Sequence, residues 1–195
     1  MENDVQDGDD VSLMSRLAAG DDLALNLLMD RWAQRLNAFL YRMTGRHEVA
    51  GDLTQEAFVR LYKARMRYRP RGEFSTYLFS IAANLARNHA RWTSRHPTIS
   101  LDAITEDGRP LVHDVSDPGQ GPDEHADSVE RYRQVREALV ALPQDLKEAI
   151  TLFVYEGMSY AEIAQLADCS VKAVETRIYR ARQLLKRILT YSLLE

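Results

Sequence analysis

From residue 96 to residue 127 the chain loses the helical spacing that governs it on either side. Pro97, Gly108, Pro110, Pro118, Gly119, Gly121 and Pro122 fall here, and no apolar position recurs. Proline fixes φ and removes a backbone donor, so no regular helix can run through such a stretch. Thr98–Leu101 offers only a weak strand signal. The chain is therefore divided, and each side must bury a core of its own. We assign an acidic N-terminal tail at 1–10, a first domain at 11–95, a flexible acidic linker at 96–128 and a second domain at 129–195. Both domains read as helical, so the fold class is all-α.

Local signals place the helices. Asp21 or Asp22 can cap a long helix to Thr44, where Gly45 supplies a left-handed stop. Its apolar positions include Leu25, Leu28, Trp32, Leu36, Phe39 and Leu40. A second helix is predicted from about Glu48 to Arg67, ahead of Pro70 and Gly72, and a third from about Phe74 to Arg91. Beyond the linker, a helix from about Val129 ends at Leu142. Pro143 suits the first turn of the next, which ends near Glu156–Gly157. Ser159 and Glu162 form a capping box that opens a short helix to Ala167. Asp168-Cys169 turns, Ser170 caps, and a final helix runs from Val171 to about Leu189.

Composition excludes several classes of protein. With 45% hydrophobic and 28% charged residues the chain is globular in type. No apolar run nears the roughly 20 residues that span a bilayer. The acidic start, Met1-Glu2-Asn3-Asp4, lacks a signal-peptide layout, which points to the cytoplasm. Cys169 is the single cysteine, so neither a disulfide nor a cysteine-based zinc site can be assembled. His47, His89, His96, His113 and His125 lack metal-ligand spacing, and no phosphate-binding glycine loop is present. No catalytic constellation, metal site or cofactor is expected.

The net charge of −4 conceals a strong segregation. Arg60, Lys63, Arg65, Arg67, Arg69, Arg71, Arg87, Arg91 and Arg95 crowd 60–95 against Glu73 alone. Lys172, Arg177, Arg180, Arg182, Lys186 and Arg187 crowd 171–190 against Glu175 alone. The linker carries the opposite sign. Two separate basic patches favour phosphate more than the net charge implies.

Three helical faces carry the candidate function. The segment 159–188, a short capped helix, a turn and a longer basic helix, has the form of a helix-turn-helix. Ala164 stands where the two helices cross. Val171, Val174, Ile178, Ala181, Leu185 and Ile188 share the inward arc. Lys172, Thr176, Tyr179 and Gln183 share the outward one, flanked by Glu175 and Arg180, residue types that read base edges and grip phosphates. On spacing alone, a helical hairpin with a solvated basic face fits too. The helix from Phe74 puts Phe74, Tyr77, Leu78, Ile81, Leu85 and Trp92 on one side. Ser80, Asn84, Arg87 and Arg91 form a stripe suited to an unpaired strand, with Tyr68, Phe74 and Phe79 near enough to stack on bases. A solvated face is the alternative here as well, although Asn84 and Asn88 are poor choices for a helix interior. On the helix before it, Ala50, Leu53, Ala57, Leu61 and Ala64 line the core, leaving Asp52, Gln55, Glu56 and Val59 outside.

The wording of these segments resembles a known family. Ala50-Gly-Asp-Leu-Thr-Gln-Glu-Ala-Phe-Val-Arg-Leu-Tyr62 is similar to the segment of sigma-factor domain two that binds the polymerase clamp helices. Phe74-Ser-Thr-Tyr-Leu-Phe-Ser-Ile-Ala-Ala-Asn-Leu-Ala-Arg-Asn88 is similar to the adjoining promoter-melting segment. Leu142-Pro143, Ser159-Tyr-Ala-Glu-Ile-Ala164 and Cys169-Ser-Val-Lys-Ala-Val-Glu-Thr-Arg-Ile-Tyr-Arg-Ala-Arg182 resemble domain four. Three motifs in this order, with no room for domains one and three, resemble an extracytoplasmic-function (ECF) sigma factor of the sigma-70 family.

The resemblance implies a non-enzymatic subunit that directs RNA polymerase to promoters. Asp52, Gln55, Glu56 and Phe58 would contact the clamp helices of the largest subunit, and the flap of the second largest would be a further contact. The loop Arg69–Phe74 would receive a base flipped from the −10 element. Arg71, Phe74, Phe79, Ser80, Asn84, Arg87, Asn88 and Arg91 would contact that element. Ser170, Lys172, Glu175, Thr176, Tyr179 and Arg180 would lie over the −35 element. Ser80 and Glu175 stand where many relatives carry a basic residue. An anti-sigma factor is the partner the family usually has, and no membrane insertion is implied. Two rivals from the residues themselves are a duplex-binding regulator independent of polymerase and a helical adaptor without DNA contact.

Overall fold

The computed structural model describes residues 9–70, 72–96 and 133–192, which are helical throughout their ordered elements. In chain order these are α1 (Asp10–Ala18), α2 (Leu23–Thr44), α3 (His47–Ala64) with a 3-10 turn at Arg65–Arg67, and α4 (Phe74–Arg95). After the linker come α5 (133–140), α6 (Gln144–Val154), α7 (Tyr160–Leu166) and α8 (Val171–Ser192). The strand candidate Thr98–Leu101 and the start of the helix expected from Val129 lie outside the described residues.

Helix α1 was not anticipated. Asp9 caps it by accepting from the Ser12 backbone N–H at 2.7 Å. Asp10 accepts from Arg31 Nη1 at 2.6 Å and Trp32 Nε1 at 3.2 Å. These two acids thus belong to the fold rather than to a tail, and Leu13, Met14 and Leu17 are buried beneath them. The stop at Gly45 is as expected: φ is 74°, and its N–H reaches the Tyr41 carbonyl at 2.8 Å.

The first domain closes around aromatic rings at the crossing of α2 and α4. Phe79 packs edge-on against Trp32 and Phe39, with centroids 6.3 and 5.3 Å away, and Phe74 lies 5.9 Å from Trp32. Each such pair adds about 0.5–1.5 kcal/mol beyond burial. Phe58 on α3 is buried as well, at 3% exposure. Trp92, expected inside, is 56% exposed because α4 runs on to Arg95 past the end of that core; it stacks on His96.

The second domain is sealed by Leu146, Ile150, Ile163, Leu166, Val174, Ile178 and Ala181. Ser159 and Glu162 form the predicted capping box. Val171, placed on the inward arc by its spacing, is 49% exposed at the start of α8, before that helix meets the others. Pro143 sits at the N-cap of α6, one residue ahead of the expected first turn.

The two domains touch along α6, which is buried on every side. Residues 146–152 are all covered, including Lys147, Glu148 and Thr151. A helix covered all round is ordinarily apolar all round; here one flank is covered by its own domain and the other by α2 and α4. Lys147 Nζ donates to the Val140 carbonyl at 2.7 Å and the Met43 carbonyl at 3.5 Å, so one ammonium serves the ends of a helix from each domain. Burial pulls its pKa below the usual lysine range. Arg136 donates to Tyr41 Oη at 2.8 Å, and the Arg42 guanidinium lies 3.9 Å over the Tyr155 ring.

Candidate nucleic-acid interfaces

The helix-turn-helix is built by local chemistry. Ser159 Oγ accepts from the Glu162 N–H at 3.3 Å, while the Glu162 carboxylate accepts from the Ser159 N–H at 2.8 Å. Those serine donors hold Glu162 below the usual carboxylate range. Asp168 adopts a left-handed φ of 49°, a conformation aspartate tolerates better than most residues. The chain reverses there, and the Cys169 N–H reaches the Ala164 carbonyl at 3.0 Å. Ser170 then caps α8, its Oγ accepting from the Ala173 N–H at 3.1 Å.

The two arcs of α8 separate largely as the spacing predicts. Val174, Ile178 and Ala181 are buried. Ser170, Lys172, Glu175, Tyr179 and Arg180 are exposed and Thr176 half-buried, its hydroxyl donating to the Lys172 carbonyl. Glu175 is paired with Lys172 at 2.8 Å, both side chains more than half exposed. An exposed pair of this kind contributes about 0–1 kcal/mol, so either partner is available to another ligand.

The stripe on α4 is placed differently. Asn84, Asn88 and Arg91 are exposed, and Ser80 and Arg87 are half-buried. Arg91 donates to Asn88, and Arg87 Nη2 donates to Asn84 Oδ1 at 2.6 Å. The other terminal nitrogen of Arg87 crosses to the second domain, where it donates to Glu148 Oε1 at 3.1 Å. Nearby, Thr76 Oγ1 donates to Glu162 Oε1 at 3.5 Å. Phe74 and Phe79 are corrections: at 3% and 0% exposure they form the core behind the stripe and present no ring to a strand. Of the three aromatics offered for stacking, Tyr68 is the one that is not buried. It packs 4.9 Å from Tyr77, and burial pushes both phenols above their usual range. Arg71 lies outside the described residues.

On α3, Asp52, Gln55 and Val59 are exposed, and Glu56 accepts from Arg60 at 2.8 Å. That hydrogen bond lowers the Glu56 pKa. Phe58, one residue from Val59, turns inward as part of the core and is not on this outer face.

Two functional-looking residues escaped the sequence reading. Glu148 and Glu156 have side chains only 4% exposed, each paired to an arginine of the first domain, Arg87 at 3.1 Å and Arg35 at 3.2 Å. Burial pushes both carboxyls above the usual range, with the facing arginines acting in the opposite sense. Glu148 Oε2 is buried with no protein partner among the described residues.

Comparison with known proteins matches these segments. Family models described as "Sigma-70 region 2" and "Sigma-70, region 4" match residues 28–96 and 132–185. The chain is 35% identical over 181 residues to an ECF RNA polymerase sigma-E factor of Haemophilus influenzae, covering 91% of this chain and 93% of that one. It is 37% identical over 180 residues to the sigma-E factor of Escherichia coli, covering 89% and 91% respectively. A solved structure titled "Structure of CnrH in complex with the cytosolic domain of CnrY" superposes with a TM-score of 0.67 at 26% identity, covering 94% of this chain and 97% of that one. The sigma factor RpoE of Bartonella quintana, solved in complex with the anti-sigma factor NepR, shares the fold with a TM-score of 0.65 at 22% identity, covering 85% of this chain and 96% of that one. The chain belongs to the sigma-70 family, among its ECF sigma factors. Proteins of this family are transcription initiation factors, not enzymes. Among the described residues, no helix is long and apolar enough to cross a membrane.

Proposed function

We propose that this chain acts in the cytoplasm as the promoter-selecting subunit of a bacterial RNA polymerase. The observation that carries this reading is a pair of polar faces on different domains, each backed by buried apolar side chains. The α8 face of Lys172, Glu175, Thr176, Tyr179 and Arg180 supports contact with a duplex −35 element. The α4 stripe of Ser80, Asn84, Arg87, Asn88 and Arg91 supports contact with a −10 strand as it opens. The outer face of α3, with Asp52, Gln55 and Glu56, is the surface offered to the polymerase clamp. RNA synthesis belongs to the polymerase; recognition and melting belong to this chain. The family resemblance adds an anti-sigma factor as the regulatory partner.

The test is reconstitution. Core polymerase mixed with this chain transcribes a restricted set of fragments from a genomic library, while either component alone does not. Asp52→Lys combined with Gln55→Ala abolishes co-elution with core polymerase and leaves helicity unchanged. Normal co-elution of the folded double variant overturns the assignment of α3. A nanomolar, sequence-specific complex of the free chain with duplex DNA at physiological salt favours the polymerase-independent regulator instead.

A further inference from the structure

We propose that the cleft between α4, α6 and α8 is a binding site for a guanine nucleotide, in which Gln144 and Glu148 read the base edge while Arg91 and Arg177 hold the phosphates. The site goes beyond the function proposed above and does not depend on it, although Arg91 also belongs to the α4 stripe.

The cleft has a volume of about 670 Å³, within the range of about 300–1,000 Å³ that small-molecule sites occupy. Arg87 and Arg91 stand one turn apart on α4, and Gln144 and Glu148 one turn apart on α6, so each pair shares a face. Arg177 enters from α8. Ala90 and Ala167 lie in the same lining, and their short side chains leave the space between the helices open.

Two of the lining groups have polar atoms that the protein leaves unanswered. The Glu148 side chain is 4% exposed. Its Oε1 accepts from Arg87 at 3.1 Å, but its Oε2 has no partner among the described residues. Gln144 Nε2 is buried and unpartnered in the same way. Native proteins rarely leave such atoms unmet, because each has lost water and gained nothing in return. Two of them within one turn of α6 define a ligand by its complement: an acceptor for the amide and a donor for the carboxylate. The terminal torsions of Glu and Gln are broad, so both groups can turn to the cleft at little cost. A carboxylate accepts about four hydrogen bonds, so Glu148 can take two neighbouring donors and still keep Arg87. Guanine meets this demand, since its pairing edge runs acceptor, donor, donor, from O6 through N1–H to the N2 amine. Each other base presents a single donor group there.

The phosphates have their own place. Arg91 is exposed and donates to Asn88 through one terminal nitrogen. Arg177 Nε lies 3.6 Å from Asp145, and its Nη1 donates to Cys169 Sγ at 3.4 Å. A thiol is a weak acceptor and the Asp145 contact is long for a charge-assisted hydrogen bond. Both guanidiniums therefore keep donors for phosphate, whose oxygens their planar fork matches. Arg87, Arg91 and Arg177 outnumber Asp145 and Glu148 in the lining, which leaves the cleft positive, as an anionic ligand requires.

The probe is GDP carrying an N-methylanthraniloyl label, titrated into the full chain and followed by fluorescence anisotropy. Unlabelled GDP, ADP and inorganic pyrophosphate serve as competitors. Binding is expected to saturate, with GDP displacing the probe at about a tenth of the ADP concentration or less, since a site built to hydrogen-bond one edge rejects another. Glu148→Gln weakens GDP about tenfold, the loss of one buried partner, and leaves pyrophosphate within about twofold. Gln144→Leu does the same, and decides the matter if circular dichroism shows Glu148→Gln unfolded. Arg91→Gln weakens GDP and pyrophosphate alike. Absence of saturable binding overturns the proposal, as does displacement by ADP equal to that by GDP. Pyrophosphate competing as well as GDP would mark an adventitious anion site only and overturns it too. So does wild-type GDP affinity in a folded Glu148→Gln or Gln144→Leu chain.

Discussion

Helices α4 and α8 have the same length, 22 residues, and the same division into an apolar and a polar face, yet their polar faces lie in different surroundings. That of α8 stands in solvent, with Lys172 and Glu175 paired to each other within one turn. That of α4 leans on another domain, and its central arginine is satisfied by a carboxylate 61 residues away in sequence. A face that reads closed duplex can stay permanently exposed, since duplex meets it without rearrangement. The α4 face, proposed to accept an opened strand, is used on that reading only after polymerase has engaged. The amphipathic pattern is therefore a statement about what a helix can present, and tertiary packing decides when it is presented.

The largest effect expected from this comparison is on the exposed side. Glu175 lies one turn into α8, where recognition helices address base edges. A carboxylate near phosphates needs a donor, and in the major groove that donor is the exocyclic amine of cytosine. Replacing the cytosine that Glu175 reads costs about 1–3 kcal/mol of binding. Glu175→Gln redirects the preference at that position, since an amide pairs with adenine. Selection of −35 variants with both holoenzymes decides: identical preferences throughout would reduce Glu175 to the partner of Lys172.

On the covered side, Asn84→Ala and Arg87→Ala impair strand opening by about tenfold, equivalent to about 1.4 kcal/mol, and leave closed-complex formation within about twofold. Permanganate reactivity of unpaired thymines measures the first and filter binding the second. If opening is normal and closed binding suffers instead, the stripe grips duplex backbone and the contrast between the two helices collapses.

The smallest effect is on pH. Burial raises Glu148 against the pull of Arg87 and Arg177 and with the push of Asp145, and it raises Glu156 against Arg35 and Arg42. The packed form therefore binds protons more readily than the parted one, so linkage favours packing as pH falls from neutral toward the ordinary carboxylate range of about 4–4.5. Small-angle scattering of the free chain should give a slightly smaller radius of gyration at pH 5.5 than at pH 8. Expansion on acidification would show that the arginine pairs, rather than desolvation, control these carboxyls.

What the sequence made legible was what neighbouring residues decide among themselves. The Gly45 stop, the Ser159–Glu162 box, the Ser170 cap and most of the inward arc of α8 all depend on groups within a turn or two, and their signals are written in residue type. Helix α1 was missed because its cap, Asp9, sits in an acidic run that resembles a solvated tail. Phe58 was carried to a binding surface by resemblance, and Phe74 and Phe79 were offered for stacking by their ring chemistry as well as by resemblance, although both share the buried side of α4 with Leu78 and Ala82. Glu148 was illegible for a deeper reason: a glutamate on a short helix is solvated by default, and its full burial exists only once the first domain is laid across it.

The order of these elements along the chain has a kinetic corollary. The rings of Trp32, Phe39, Phe74 and Phe79 all precede the linker, whereas the cover, α6, follows it. At about 5–20 residues per second of synthesis, the roughly sixty residues from the end of α4 at Arg95 to the end of α6 at Val154 take about 3–12 s to be made. Through that interval a nascent chain on the ribosome already possesses the residues of the α4 stripe and not yet those of α6 that pack against it. The newest molecules in the cell are the ones whose stripe is bare.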